Sequence, residues 1–167
     1  MENIEGEIYI LGDDINTDDI VPSYTLTMRD PNEMTKHVLE FIEPNFAQKA
    51  ARISIIIGGH NFGTGSSREE AVNVFKILGI KAIIAKSFSR IYYRNLINNG
   101  IAGIICEWDE ATFSDGDQVQ ISIENGIIFN LSKDLELPYK KLPQFLKEIL
   151  ESGGILNQLK EKLKLNQ

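Results

Sequence analysis

Residues 53–106 read ISIIIGGHNFGTGSSREEAVNVFKILGIKAIIAKSFSRIYYRNLINNGIAGIIC. Three short apolar runs, Ile53 to Ile57, Ala82 to Ala85 and Ile101 to Cys106, alternate here with two segments of helical periodicity. In the first helical segment Ala71, Val74, Phe75 and Leu78 share one face, and Gly79 stops it. The second spans Ser89 to Asn99 and closes at Gly100. The runs are continuous and rich in β-branched residues, as strands covered on both faces are. Strand and helix alternating through short connections predict a parallel α/β core.

N-terminal to this stretch, Glu7 to Leu11 (EIYIL) reads as a first strand. It leads into GDDINTDDI, residues 12–20, with four aspartates in seven positions. A loop from Ser23 to Asp30 follows, and Pro31 opens a helix with Met34, Val38 and Phe41 at helical spacing. On the C-terminal side Gln118 to Ile123 alternates polar and apolar residues. Asn125-Gly126 is a hairpin turn, and Ile127 to Leu131 returns as the second strand of an appended antiparallel hairpin. Two amphipathic helices finish the chain, one with Leu142, Phe145, Leu146, Ile149 and Leu150 on a face, the other with Ile155, Leu156, Leu159 and Leu163. Gly153-Gly154 separates them. With no internal repeat, long linker or boundary, residues 1–167 read as one domain.

Composition narrows the function. The chain has 167 residues, 43% hydrophobic, with 24 acidic against 17 basic side chains. That is enough apolar material for a core, and the acidic excess disfavours nucleic acid, whose binding depends on Lys and Arg at phosphates. No apolar run approaches the roughly 20 residues that cross a bilayer, and the start, Met1 to Glu5, is acidic where a signal peptide is basic and then apolar. No membrane association and a cytoplasmic location are expected. Cys106, the single cysteine, can neither close an internal disulfide nor hold a zinc or iron–sulfur site by itself.

In Gly63-Thr64-Gly65-Ser66-Ser67-Arg68 the glycines let the backbone approach a ligand, and a following helix would present N–H groups that attract anions. The same residues also read as a capping box, with Ser66 as N-cap and Glu69 reaching back. Both readings stand at this level. Nucleotide fingerprints do not apply to this loop: no Lys precedes Ser66 or Ser67 as in a P-loop, and Arg68 occupies the third glycine position of GxGxxG.

Four segments in order, GDDINTDDIVP (12–22), HNFGTGSSREEA (60–71), AKSFSRIYYRNLINNG (85–100) and PQFLKEILESGGIL (143–156), resemble the small subunits of the isopropylmalate and homoaconitate hydro-lyases. This family is related to the swivelling C-terminal domain of aconitase. The resemblance spans roughly Glu7 to Leu159 and implies a swivelling β/β/α domain. It also implies reversible dehydration and rehydration of a small anionic di- or tricarboxylate. A [4Fe-4S] cluster, bound by a separate large subunit and not by this chain, would act as Lewis acid. One cysteine fits that division, because such clusters are held mainly by thiolates.

The resemblance also implies roles for individual residues. Ser66 matches the first serine of the GSSRE motif, the base that removes a proton next to a carboxylate. Arg68 matches the carboxylate-binding arginine, for which a planar guanidinium is suited, and Ser67 adds a hydrogen bond. Asp18 matches an active-site aspartate that orients a catalytic group or handles protons; its other reading is a solvated turn residue. Substrate choice falls to the loop from Val21 to Pro31, whose one cation, Arg29, either binds a distal carboxylate or lies exposed. Tyr24-Thr25-Leu26 departs from the Arg-Tyr-Leu or Tyr-Leu pattern common there. Thr64 stands where many relatives have cysteine, and Glu70 where many have histidine.

His60 reads as a hydrogen-bonded structural residue or a substrate contact, and His37 as surface. Tyr92, Tyr93, Cys106, Trp108 and Phe113 read as packing. Isopropylmalate isomerisation in leucine biosynthesis is the leading expectation. A homoaconitase, or a citraconate- or dimethylmalate-type dehydratase, is the alternative, and a non-catalytic anion-binding module comes from a different class.

Overall fold

The computed structural model describes residues 3–165; Met1 and Glu2 of the acidic start lie outside them. In chain order the elements are β1 (Ile4–Ile10), α1 (Thr17–Ile20), a 3-10 turn (Ser23–Thr27), α2 (Pro31–Thr35), α3 (Phe46–Lys49), β2 (Ile53–Gly58) and α4 (Glu70–Ile77). Then come β3 (Ala82–Ala85), α5 (Arg90–Asn98), β4 (Ala102–Ile105), β5 (Gln118–Ser122), β6 (Ile127–Asn130), β7 (Leu135–Pro138), α6 (Gln144–Glu151) and α7 (Ile155–Leu165).

The strands form one sheet in the order β4-β3-β2-β1-β5-β6-β7. β1 to β4 pair in parallel, whereas β5 joins β1 antiparallel and continues through β6 to β7. The predicted parallel core is therefore present. The hairpin is not an appendage, because it extends the same sheet through β1 and carries a third strand, Leu135–Pro138.

Strand periodicity explains the layering. Along β2, Ile53 and Ile56 face one core while Ile55 and Ile57 face another; β3 divides in the same way, Ile83 and Ala85 against Ala82 and Ile84. The first core lies under the connections that hold α1 to α5, with Phe46, Phe62, Phe75 and Leu96. The second is enclosed by the sheet itself, since Val119, Ile121 and Ile128 of β5 and β6 meet Ile8, Ile57 and Ile104 there, with Ile149 and Leu150 of α6. The sheet is curled, and residues at the end of β4 (Ile105, Cys106) and on β7 (Leu137, Pro138) line one cleft. Cys106 is buried, as expected, and Trp108 donates its indole N–H to the Gly58 carbonyl at 2.7 Å, closing the end of β2.

Two helix expectations need correction. Beyond Pro31 the α-helix lasts only to Thr35, and Phe41, counted on its apolar face, is 71% exposed. Leu39 interrupts the periodicity with a positive φ of 59°, and its N–H bonds to the Ile20 carbonyl, so the chain turns back toward α1. In α7 the residues packed inward are Ile155 and Gln158, whereas Leu156, Leu159 and Leu163 face outward.

The packing predicts a sharp contrast in urea titrations. Ile84→Ala, fully buried between strands and α6, is expected to lower stability by about 2–5 kcal/mol. Phe41→Ser should change it by less than about 0.5 kcal/mol.

Candidate active site

The carboxyl ends of β1, β2 and β3 point the same way, and the segments that leave them meet in the crevice where open parallel sheets place their sites. Backbone bonds extend the β1–β2 pairing into these segments: Leu11 N–H to Ile57 O (2.7 Å), Gly63 N–H to Ile15 O (2.7 Å) and Thr17 N–H to Thr64 O (2.8 Å). A similar bridge joins Phe62 to Phe88. The glycine-serine loop is thus clamped between the aspartate-rich segment on one side and the start of α5 on the other.

Each of the four aspartates has its own partner. Asp13 accepts the His60 N–H at 2.7 Å, and Asp14 accepts the Asn61 side-chain amide at 2.8 Å. Asp19 closes a capping box with Asn16, whose side chain accepts the Asp19 N–H while Asp19 accepts that of Asn16. Asp18, by contrast, turns outward to form an ion pair with Arg68.

Arg68 is the hub of the site. Its Nε–H donates to Ser66 Oγ at 2.9 Å, its Nη1 donates to the Val21 carbonyl at 3.0 Å, and its Nη2 meets Asp18. The Arg68 side chain is only 16% exposed against 57% for Asp18, so the guanidinium is seated and the carboxylate stands at the rim. Ser66 and Ser67 are exposed and line one small pocket with Arg68, Thr17, Ser89, Tyr92 and Asn95. Of the residues singled out from sequence, Ser66, Ser67, Arg68 and Asp18 come together here. Arg29 is exposed, lies outside this pocket and makes no ion pair with the described residues.

The capping reading of Ser66 is overturned. α4 begins at Glu70, its N-cap position is Glu69 in a helical conformation, and no side chain caps it. Ser66 Oγ is engaged by Arg68 instead, and the N–H groups of Ser66, Ser67 and Arg68 find no acceptor among the described residues. They remain available to an anion.

Thr17 is a site residue that sequence reasoning missed. It is buried, and its hydroxyl donates to the Ser66 carbonyl at 2.9 Å, fixing the height of the loop. Its only linear signal is its place beside Asp18. Tyr92 packs, as expected, but does so under the loop: its hydroxyl donates to the Ala71 carbonyl, and burial pushes the phenol well above its ordinary pKa. His60 is exposed; its backbone N–H donates to Asp13 and its carbonyl accepts the Asp14 N–H, while its ring makes no hydrogen bond among the described residues.

Beyond Val21 the chain is tethered through Tyr24. Its hydroxyl donates to Glu40 and lies 2.9 Å from His37 Nδ1, which is 2.8 Å from the same carboxylate. The Tyr24 bond, opposed by desolvation and aided by His37, holds the Glu40 carboxyl below its ordinary range. Among the described residues no group of three or more His, Cys, Asp or Glu could hold a metal ion, and no helix is long and apolar enough to cross a membrane. Cys106 gives its S–H to the Glu107 carbonyl at the end of β4, outside the Ser66 pocket.

Known proteins share this architecture. Residues 14–107 match the family model described as the aconitase C-terminal domain. The chain is 42% identical over 168 residues to the 3-isopropylmalate dehydratase small subunit of Nautilia profundicola, covering 100% of both. It is 40% identical to the isopropylmalate/citramalate isomerase small subunit of Methanocaldococcus jannaschii, covering 98% of each. A crystal structure of 3-isopropylmalate dehydratase from that organism superposes with a TM-score of 0.91 at 40% identity, covering 99% of this chain and 98% of the other.

Two outcomes are expected from this geometry. Gly63 has φ of +80° and a Cβ there would run into the Tyr92 ring, so Gly63→Ala should cost about 1–3 kcal/mol in chemical denaturation. A lowered Glu40 pKa stabilises the fold above the ordinary carboxylate range, and that contribution is lost as pH falls through the lowered value. Tyr24→Phe should move Glu40 upward in a carboxyl NMR titration and shrink this acid-side loss; an unmoved titration would refute the tether.

Proposed function

This chain belongs to the aconitase C-terminal-domain family, among the 3-isopropylmalate dehydratase small subunits, and we propose that it interconverts 2- and 3-isopropylmalate with Ser66 as the proton-abstracting base. The observation that carries this reading is the Arg68 guanidinium, which ties Ser66 Oγ of the glycine-serine loop to the Val21 carbonyl and Asp18 of the aspartate-rich segment.

A serine hydroxyl is a weak base, so its alkoxide must be stabilised where it forms. The Nε–H of Arg68 points at that oxygen, and the unengaged N–H groups of the loop add positive potential. The proton on the carbon next to a substrate carboxylate passes to the Ser66 alkoxide, which becomes the hydroxyl, and the electron pair left behind forms the carbon–carbon double bond as the substrate's hydroxyl departs from the adjacent carbon. Arg68 spends three of its N–H groups on Ser66, Val21 and Asp18, which leaves about two of a guanidinium's five for substrate. Asp18 positions the guanidinium and neutralises it, so the site needs further cationic partners for a dianion. Ser67 adds a hydrogen bond in this reading, and Arg29, exposed outside the Ser66 pocket, is the cation proposed for a distal carboxylate that extends beyond that pocket.

An iron–sulfur cluster, with its Lewis acidity toward the substrate hydroxyl, does not fit this chain, which has one cysteine, buried and outside the Ser66 pocket. We assign the [4Fe-4S] cluster to the large subunit that a small subunit implies. The name of the Methanocaldococcus relative supports a second reading, a citramalate-type substrate on the same site. We place the assembled enzyme in the cytoplasm, in leucine biosynthesis.

With the anaerobically reconstituted pair, Ser66→Ala should lower kcat by about 10²–10⁴-fold with little change in KM. Arg68→Lys should raise KM and also reduce kcat, because an ammonium cannot keep all three contacts. The chain alone should be inactive. Full turnover by Ser66→Ala would remove the serine from the chemistry, and a higher kcat/KM for homocitrate than for isopropylmalate or citramalate would overturn the substrate assignment.

A further inference from the structure

Helix α7 is amphipathic, but its inward side is formed by Ile155 and Gln158, and its leucines lie roughly a quarter of a turn away. Leu156 is 70%, Leu159 48% and Leu163 66% exposed, and Phe145 on the neighbouring α6 is 62% exposed. Scattered apolar side chains need no explanation, whereas a contiguous stripe marks an interaction surface.

The stripe is continuous with the candidate active site. The pocket that holds Ser66 and Arg68 also includes Ser67 and Asn95. These two residues also line the next cleft, together with Asn98 and Leu156. Asn98 then lines a third cleft that ends at Phe145. One concave track therefore runs from the catalytic loop to the outward apolar residues of α6 and α7.

We propose that this track, from Ser67 past Leu156 to Phe145, is where the large subunit seats, an inference that rests on the chain being one half of a two-chain hydro-lyase. The body that completes chemistry at Ser66 must cover the loop, and the lining shared at Ser67 and Asn95 carries a surface seated there onto Leu156. A second copy of this chain seated there would cover the same loop and shut out the subunit that completes the site. Lys160, Glu161 and Lys162 are exposed on α7 as a polar rim to the leucines.

The test uses the full chain and the large subunit under anaerobic conditions. Leu156→Glu should raise the Kd for the large subunit by about tenfold or more, with Leu131→Glu, an exposed apolar control at the end of β6, unchanged. Hydroxyl-radical footprinting of the unmodified chain decides the matter if Leu156→Glu fails to fold: Leu156 and Phe145 should lose most of their oxidation on complex formation. Footprints equal to those of the free chain, or a Leu156→Glu Kd within about twofold of wild type, overturn the proposal. So does a sedimentation experiment in which Leu156→Glu dissolves a homodimer without weakening the large-subunit complex. A wild-type chain that neither binds nor activates the large subunit would instead defeat the functional reading itself.

Discussion

β1 runs parallel to β2, and their pairing does not stop at the carboxyl ends of the strands. It continues through Leu11 to Ile57, Gly63 to Ile15 and Thr17 to Thr64, so two chain segments far apart in sequence leave the sheet as a bonded pair. Ser66 is held at its carbonyl by Thr17 because that pairing brings Thr17 alongside. The positive φ values of Gly63 and Gly65 follow from the same constraint, since the loop must turn sharply between the aspartate-rich segment and Tyr92.

On this frame the polar residues divide their work. Asp13, Asp14 and Asp19 satisfy backbone or amide donors and hold the segment's shape, which leaves Asp18 as the one that reaches the guanidinium. In the proposed reading this division lets an acidic chain offer a site to an anion. Local potential is set by Arg68 and by the unpaired N–H groups of the loop, while most nearby carboxylates are spent on hydrogen bonds. In the proposed reading the chain supplies a base and a carboxylate contact on a surface that the large subunit covers, and the apolar outer face of α7 adjoins that surface.

Periodicity worked where burial was complete and failed where it was partial. The strands Ile53–Gly58 and Ala82–Ala85 and the helix Arg90–Asn98 lie within a residue or two of their sequence reading, because both faces of each strand are covered and the helix has a side-chain cap in Ser89. The segment after Pro31 carries helical spacing for two turns, yet Leu39 takes a left-handed conformation to bond Ile20, a long-range preference that local pattern does not encode. The leucines of α7 have the spacing of a buried face and point outward; spacing reports that residues share a side, not which side the rest of the chain covers. Ser66 fits the capping pattern as well, but α4 begins only at Glu70 and the Ser66 hydroxyl is engaged by Arg68, whose guanidinium is held by Val21 and Asp18 from the distant aspartate-rich segment.

Apolar runs and turn residues are properties of neighbouring positions, and they made the parallel α/β core legible in the chain, while the resemblance of four ordered segments to a known family singled out Ser66, Ser67, Arg68 and Asp18. Three-dimensional packing settles that Arg68 touches Ser66, Val21 and Asp18 at once, that Thr17 supports the loop from below, and that Arg29 is exposed outside the Ser66 pocket. It also decided that β5 to β7 extend the main sheet and that α7 turns its leucines to solvent. Those outcomes depend on which strands lie side by side and on how the sheet curls. Such contacts join residues far apart in the chain, and short-range pattern carries no record of them.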